Sequence, residues 1–135
     1  MSDVFILDTS VLVDDLRTGR YRRRIAALSG IIRNSAVVMA ELWRGVVKPA
    51  EREFLRALGR NHPTLTPTEK NWLESGEILG EIRADRDFTG AKLRDLHFDV
   101  LIALTARSHG ACLITSNRID FEMVASYRKF QLEIW

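Results

Sequence analysis

Short apolar runs rich in β-forming residues recur along this chain, and stretches with helical spacing separate them. Val4 to Leu7 is the first run, Ile31 to Asn34 the second, and Leu65 between two prolines marks a third. Ala111 to Thr115 and Leu132 to Trp135 complete the set. Strand signals that alternate with helices point to a parallel sheet covered on both faces. The expected fold class is therefore α/β, a three-layer α/β/α sandwich with a mostly parallel central sheet. A chain of 135 residues has room for one core, so residues 1–135 are expected to form a single domain.

The helices follow from apolar spacing and capping residues. Asp8-Thr9-Ser10 can start a helix to about Leu16, and another is expected over Arg20 to Leu28. Ser35 is a good N-cap for a helix from Ala36 to Val46, stopped near Lys48-Pro49. Residues 50–59 form a further short helix. Thr68 to Arg86 is amphipathic, with Trp72, Leu73, Ile78, Leu79 and Ile82 apolar. Phe88-Thr89-Gly90 reads as a break. The most apolar helix is expected from about Leu93 to Ser108, with Gly110 at its stop. Phe121 to Val124 reads as one short helical turn.

Several classes are excluded by composition. With 46% hydrophobic and 28% charged residues, the chain is neither disordered nor low in complexity. The net charge of +2 leaves nucleic-acid contacts to local patches. Cys112 is the only cysteine, so an internal disulfide or a Cys-based zinc cage within one chain is excluded. His62, His97 and His109 lack ligand spacing, and His97 reads as a structural residue at a helix end. No apolar stretch nears the roughly 20 residues of a membrane span, and the start of the chain lacks the features of a signal peptide. A cytoplasmic protein with no membrane partner is expected.

Most acids, among them Glu51, Glu53, Glu69, Glu74, Glu77 and Glu81, fall on polar helix faces and are expected in solvent. Four others sit where solvation explains them poorly. Asp8 ends the first strand, where parallel sheets bind ligands; it can equally cap the next helix. Glu41 lies among Val37, Val38, Met39, Ala40, Leu42 and Trp43, where an unpaired carboxylate is costly. The alternative is a polar stripe shared with Arg44. Asp99 precedes the apolar run VLIALTA and either favours a helix start or, in a helix from Leu93, is internal. Asp120 follows the strand ACLIT, with Asn117 nearer the strand, and a plain loop is the competing reading. Gathered at one sheet edge, such carboxylates would repel one another unless a cation joined them. Oxygen donors without cysteine or paired histidine suit Mg²⁺ or Mn²⁺.

FILDTSVLVD (5–14), SAVVMAELWRG (35–45), HFDVLIALTARSHGACLITSN (97–117) and DF (120–121), in that order and spacing, resemble the PIN domain. The similarity is greatest to the VapC toxins of bacterial VapBC toxin–antitoxin pairs and covers essentially the whole chain. The resemblance implies a toxin that is a Mg²⁺-dependent endoribonuclease, with Mn²⁺ able to substitute, and that inhibits translation by cutting RNA. Asp8, Glu41 and Asp99 match the first three acids of the family. Thr115 and Asn117 match its Thr-x-(Asp/Asn) element, with an amide where many relatives have Asp. Either Asp120 supplies the last carboxylate or Asn117 acts through a water. The expected catalytic residues are Asp8, Glu41, Asp99 and Asp120, and the expected metal residues are Asp8, Glu41, Asp99 and Asn117. The resemblance further implies a cognate VapB-like antitoxin, an RNA substrate and a homodimer.

RNA must also be held. Arg17, Arg20, Arg22, Arg23 and Arg24 form the densest basic cluster, and Arg44 and Arg118 lie near proposed ligands in sequence. Trp43 and Trp72 are candidate partner contacts or core residues. Two rival functions remain at this stage. One is a catalytically weak PIN-like domain that only binds RNA or a partner. The other is a small phosphatase, which Asp8-Thr9-Ser10 faintly suggests, although the second Asp two residues on is absent.

Overall fold

The computed structural model describes residues 3–135. Among them, five strands form one sheet: β1 (Val4–Leu7), β2 (Ile31–Ser35), β3 (Thr64–Leu65), β4 (Cys112–Thr115) and β5 (Gln131–Ile134). The helices are α1 (Thr9–Thr18), α2 (Arg22–Ala26), α3 (Ala36–Arg44), α4 (Pro49–Asn61), α5 (Glu69–Asp85), α6 (Gly90–Ser108) and α7 (Arg118–Tyr127). Every strand pair is parallel, in the order β3-β2-β1-β4-β5. The chain steps outward from β1 to β2 and β3, then returns to the other side of β1 for β4 and β5. Helices join every pair of successive strands, and α5, α6 and α7 pack together, as do α1, α3 and α4. This is the expected three-layer sandwich. The strand order reverses between β1 and β4, and the crevice at their carboxyl ends is where such a sheet binds ligands.

The register sets up that crevice. Leu7 pairs with Ile114, and the Asp8 amide donates to the Ile114 carbonyl at 2.9 Å. Asp8 and Thr115 therefore leave the sheet side by side. Beneath them the core is apolar: Ile6, Val11, Leu113 and Ile114 are fully buried. Each such side chain contributes about 1.5–3 kcal/mol by leaving water. In α6, every residue from Val100 to Ala106 is buried, so this half of the helix is apolar on all sides. Asp99 is the last polar residue before that run.

Some boundaries differ from the sequence expectation, for identifiable reasons. α6 starts at Gly90, because Thr89 acts as its N-cap and accepts a bond from the Lys92 amide at 3.1 Å. The Thr-Gly pair that reads as a break is a helix start. α7 is ten residues long, capped by Asn117, where only a turn was expected. α2 shrinks to five residues and leaves Arg20 outside. α4 begins at Pro49, a favoured first helical position. α1 runs on to Thr18 and stops at Gly19, whose φ of 68° suits glycine.

Three residue assignments change as well. His97 lies inside α6 instead of at its end; its Nε2 is 3.0 Å from the Ser75 hydroxyl. Ser75 spends its own hydrogen on the Trp72 carbonyl, so Nε2–H of His97 is the donor. Trp43 and Trp72 are 42% and 50% exposed, which removes the core reading for both. Glu74 is not simply solvated: it accepts from Arg128 at 3.0 Å and Arg107 at 3.3 Å, tying α5 to α6 and to the end of α7. No helix among the described residues is long and apolar enough to cross a membrane.

Candidate active site

Four elements deliver the four acids. Asp8 follows β1, Glu41 lies in α3, Asp99 in α6 and Asp120 in the first turn of α7. α3 packs on both α1 and α6, and α6 packs on α7, so Asp8, Glu41 and Asp120 all come within electrostatic reach of Asp99.

Asp8 is 4% exposed. Its backbone caps α1, yet its side chain makes no capping bond. The carboxylate instead accepts from Thr115 Oγ1 at 2.7 Å and from Ser10 Oγ at 3.0 Å. The Thr9 and Ser10 amides also help to hold its charge, so the side chain faces the start of α1 without closing a cap. Burial raises the Asp8 pKa above the usual carboxylate value, and the two hydroxyls work against that rise.

Glu41 is half-buried and accepts from Thr9 Oγ1 at 2.9 Å. Burial raises its pKa, the Thr9 bond opposes the rise and the Asp8 charge adds to it. Arg44 contributes only the weakest influence, so the polar-stripe pairing is minor. The Arg44 guanidinium lies instead 5.9 Å from the centroid of the Phe98 ring.

Asp99 is the tenth residue of α6, which ends the helix-start reading. Its pKa is pushed up to about 8, first by burial and then by Asp8, Asp120 and Glu41, with Lys92 opposing. No hydrogen bond contributes to holding its charge. Burial together with like charges nearby favours the neutral form of the group, against the pull of Lys92.

Asp120 has such a counter-charge. Lys92 Nζ lies 2.9 Å from its Oδ1, and Asn117 Nδ2 donates to its Oδ2 at 3.2 Å. Asn117 Oδ1 faces the Asp120 amide at 3.4 Å as the cap of α7, and the Asn117 amide donates to Thr115 Oγ1. Thr115, Ser10, Thr9 and Lys92 are thus part of the arrangement. Sequence reasoning placed Thr115 through the resemblance but attached no role to the other three. A hydroxyl just after a strand reads as a cap, and Lys92 and Asp120 are 28 residues apart.

The basic residues divide. Arg118 pairs with Glu122 one turn on. Arg20 and Arg24 lie over Tyr21 and Trp135, with guanidinium carbons 4.9 and 4.4 Å from the ring centroids. An open cleft of about 640 Å³ runs beside Glu41 and Asp99, with Arg44, Arg94 and Phe98 on its walls.

The donor set is entirely oxygen, from carboxylates, hydroxyls and one amide. That chemistry fits a hard divalent cation, which would also offset the burial and the like charges that favour a neutral Asp99. Among the described residues, no group of three or more His, Cys, Asp or Glu side chains is arranged to hold a metal ion as it stands.

Comparison with known proteins places this geometry. The crystal structure of VapBC2 from Rickettsia felis, bound to a promoter DNA fragment, contains a chain of similar fold. The TM-score is 0.78 at 24% identity, covering 98% of both chains. DNA-bound VapBC from Salmonella typhimurium gives 0.72 at 21% identity and 99% of both chains. VapBC-5 from Mycobacterium tuberculosis gives 0.61 at 20% identity and 98% of both. No curated protein matches the chain. The family model for the PIN domain matches residues 5–126, from β1 through most of α7 and across all four acids. By that match this chain belongs to the PIN domain family.

Proposed function

We propose that this chain is the toxin of a type II toxin–antitoxin pair, a Mg²⁺-dependent endoribonuclease that cleaves RNA phosphodiester bonds and inhibits translation, with Mn²⁺ able to substitute. One observation carries the reading. At the reversal of strand order Asp99 is buried beside three other carboxylates from separate elements, and burial first and then their charges push it up to about 8. A structural role gives no reason to bury Asp99 beside three other acids there, whereas cation binding does. Membership in the PIN domain family and the similar fold of chains in VapBC complexes support it.

Asp8, Glu41 and Asp99 would hold the ion, and Asp120 completes the set. Asn117 acts as the residue that orients Asp120 and caps α7. Thr115 and Ser10 fix the Asp8 carboxylate, and Thr9 fixes Glu41. Such outer partners aim carboxylates at a metal. The ion, when bound, acidifies an attacking water and offsets charge on the scissile phosphate. Arg44 and Arg94 lie on the cleft walls where RNA phosphates would approach. His97 is engaged by Ser75 and takes no proton-transfer role. A cytoplasmic setting, a VapB-like antitoxin and a homodimer belong to the same proposal, and residues 1–135 act as a single PIN domain.

The test is cleavage of a labelled RNA with Mg²⁺, with Mn²⁺ and with EDTA, for the wild type and for Asp8→Asn and Asp99→Asn. The reading expects cleavage in metal only, and loss of at least about a hundredfold in each folded variant. RNA cleavage that survives in Asp8→Asn sinks the site assignment. Metal-independent RNA binding without cleavage would favour the binding-only alternative.

A further inference from the structure

The cleft beside the acids carries an unusual pair of walls. Phe98 immediately precedes Asp99, is 36% exposed and takes no part in the hydrophobic core. Its helix buries Leu96 and the run from Val100 onward, so the fold has apolar space that Phe98 does not use. The ring instead faces the cleft, with the Arg44 guanidinium 5.9 Å from its centroid. Arg94, one turn before Phe98, lines the same space. Among the described residues, neither Arg44 nor Arg94 forms an ion pair with a carboxylate. The cleft thus offers a flat apolar face and two guanidiniums outside any ion pair, Arg44 one turn from Glu41 and Arg94 just over one turn from Asp99, with Asp95 and His97 also on its walls.

We propose that Phe98, Arg44 and Arg94 form a subsite for one unpaired nucleotide of the RNA, next to the bond that is cut. The inference rests on the nuclease reading and adds to it a single-stranded substrate at this point. The nucleobase stacks on Phe98 in place of Arg44, and the adjoining phosphate draws Arg44 from over the ring into a bidentate contact. Single-stranded RNA carries both required features, an aromatic face and an anion, on each residue. A basic peptide suits Glu41 and Asp99 but meets repulsion from Arg44 and Arg94. An acidic peptide meets the reverse problem and brings no ring.

The experiment measures binding in EDTA of a fluorescein-labelled oligouridylate and of an abasic ribose-phosphate chain of equal length. Stacking is worth about 1–3 kcal/mol per base, so Phe98→Ala should weaken oligouridylate binding by about tenfold. It should leave the abasic chain unchanged, and Phe98→Trp should retain affinity. Arg44→Gln should weaken both ligands. Equal effects of Phe98→Ala on both chains, or none on either, overturn the subsite. Loss of binding to a basic peptide with RNA binding intact would overturn it in favour of a polypeptide occupant. The two readings fail separately. Cleavage by the wild type with no Phe98 effect removes only the subsite. A base-dependent Phe98 effect without metal-dependent cleavage removes only the nuclease assignment.

Discussion

Asp99→Asn should make the metal-free protein more stable, and the gain should grow with pH. The folded carboxyl titrates at about 8 against 3.8 in an open chain. Between those values the folded state binds a proton that the unfolded state lacks, so stability falls as pH rises through that window and levels off above it. At about 1.4 kcal/mol per unit, the shift sets a ceiling of roughly 6 kcal/mol. Partial solvent access to the cluster reduces this to about 2–3 kcal/mol. The neutral amide removes this cost while keeping the shape of the side chain. In EDTA, thermal melts of the wild type and Asp99→Asn should nearly coincide around pH 4. They should separate by roughly 6–12 °C near pH 9, with the variant higher. Mn²⁺ should narrow the gap at high pH by stabilising the wild type alone. A variant that melts lower at high pH, or a gap that ignores pH, would refute the shared-field argument.

Further predictions follow the partners of the acids. Thr9→Val removes the donor to Glu41 and should weaken Mn²⁺ binding by about tenfold in calorimetry, with little change in melting temperature. Lys92→Met removes the positive charge 2.9 Å from Asp120 and should tighten Mn²⁺ binding by about fivefold. In an Asp120→Asn background the same change should have no such effect, a double-variant cycle that isolates the pair. Glu74→Ala cuts the ties to Arg107 and Arg128 and should lower stability in urea by about 1 kcal/mol, equally with and without metal.

The sheet was legible because its strands are short β-branched and aliphatic runs bounded by turn residues, and Val4–Leu7 matches in full. Asp8 and Asp99 stood out because each interrupts apolar sequence at a place where solvation explains it poorly. What escaped was pairing at a distance. Thr9 and Ser10 look like helix-start residues, and only the parallel register of β1 with β4 turns Ser10 toward Thr115. Lys92 and Asp120 meet only because α6 begins three residues earlier than its apolar face suggests, at the Thr89 cap. Trp72 shares the helical spacing of Ile78 and Ile82, but spacing does not record that α6 covers those two and leaves the tryptophan outside with its edge on His97.

A crystal grown with Mn²⁺ offers the shortest route to the central claim, read by anomalous scattering. The account predicts a peak bounded by oxygens of Asp8, Glu41 and Asp99, with Asp120 directed at it, and its disappearance in Asp99→Asn. A crystal saturated with Mn²⁺ that shows no peak between these side chains, or one that persists unchanged in the variant, would contradict it.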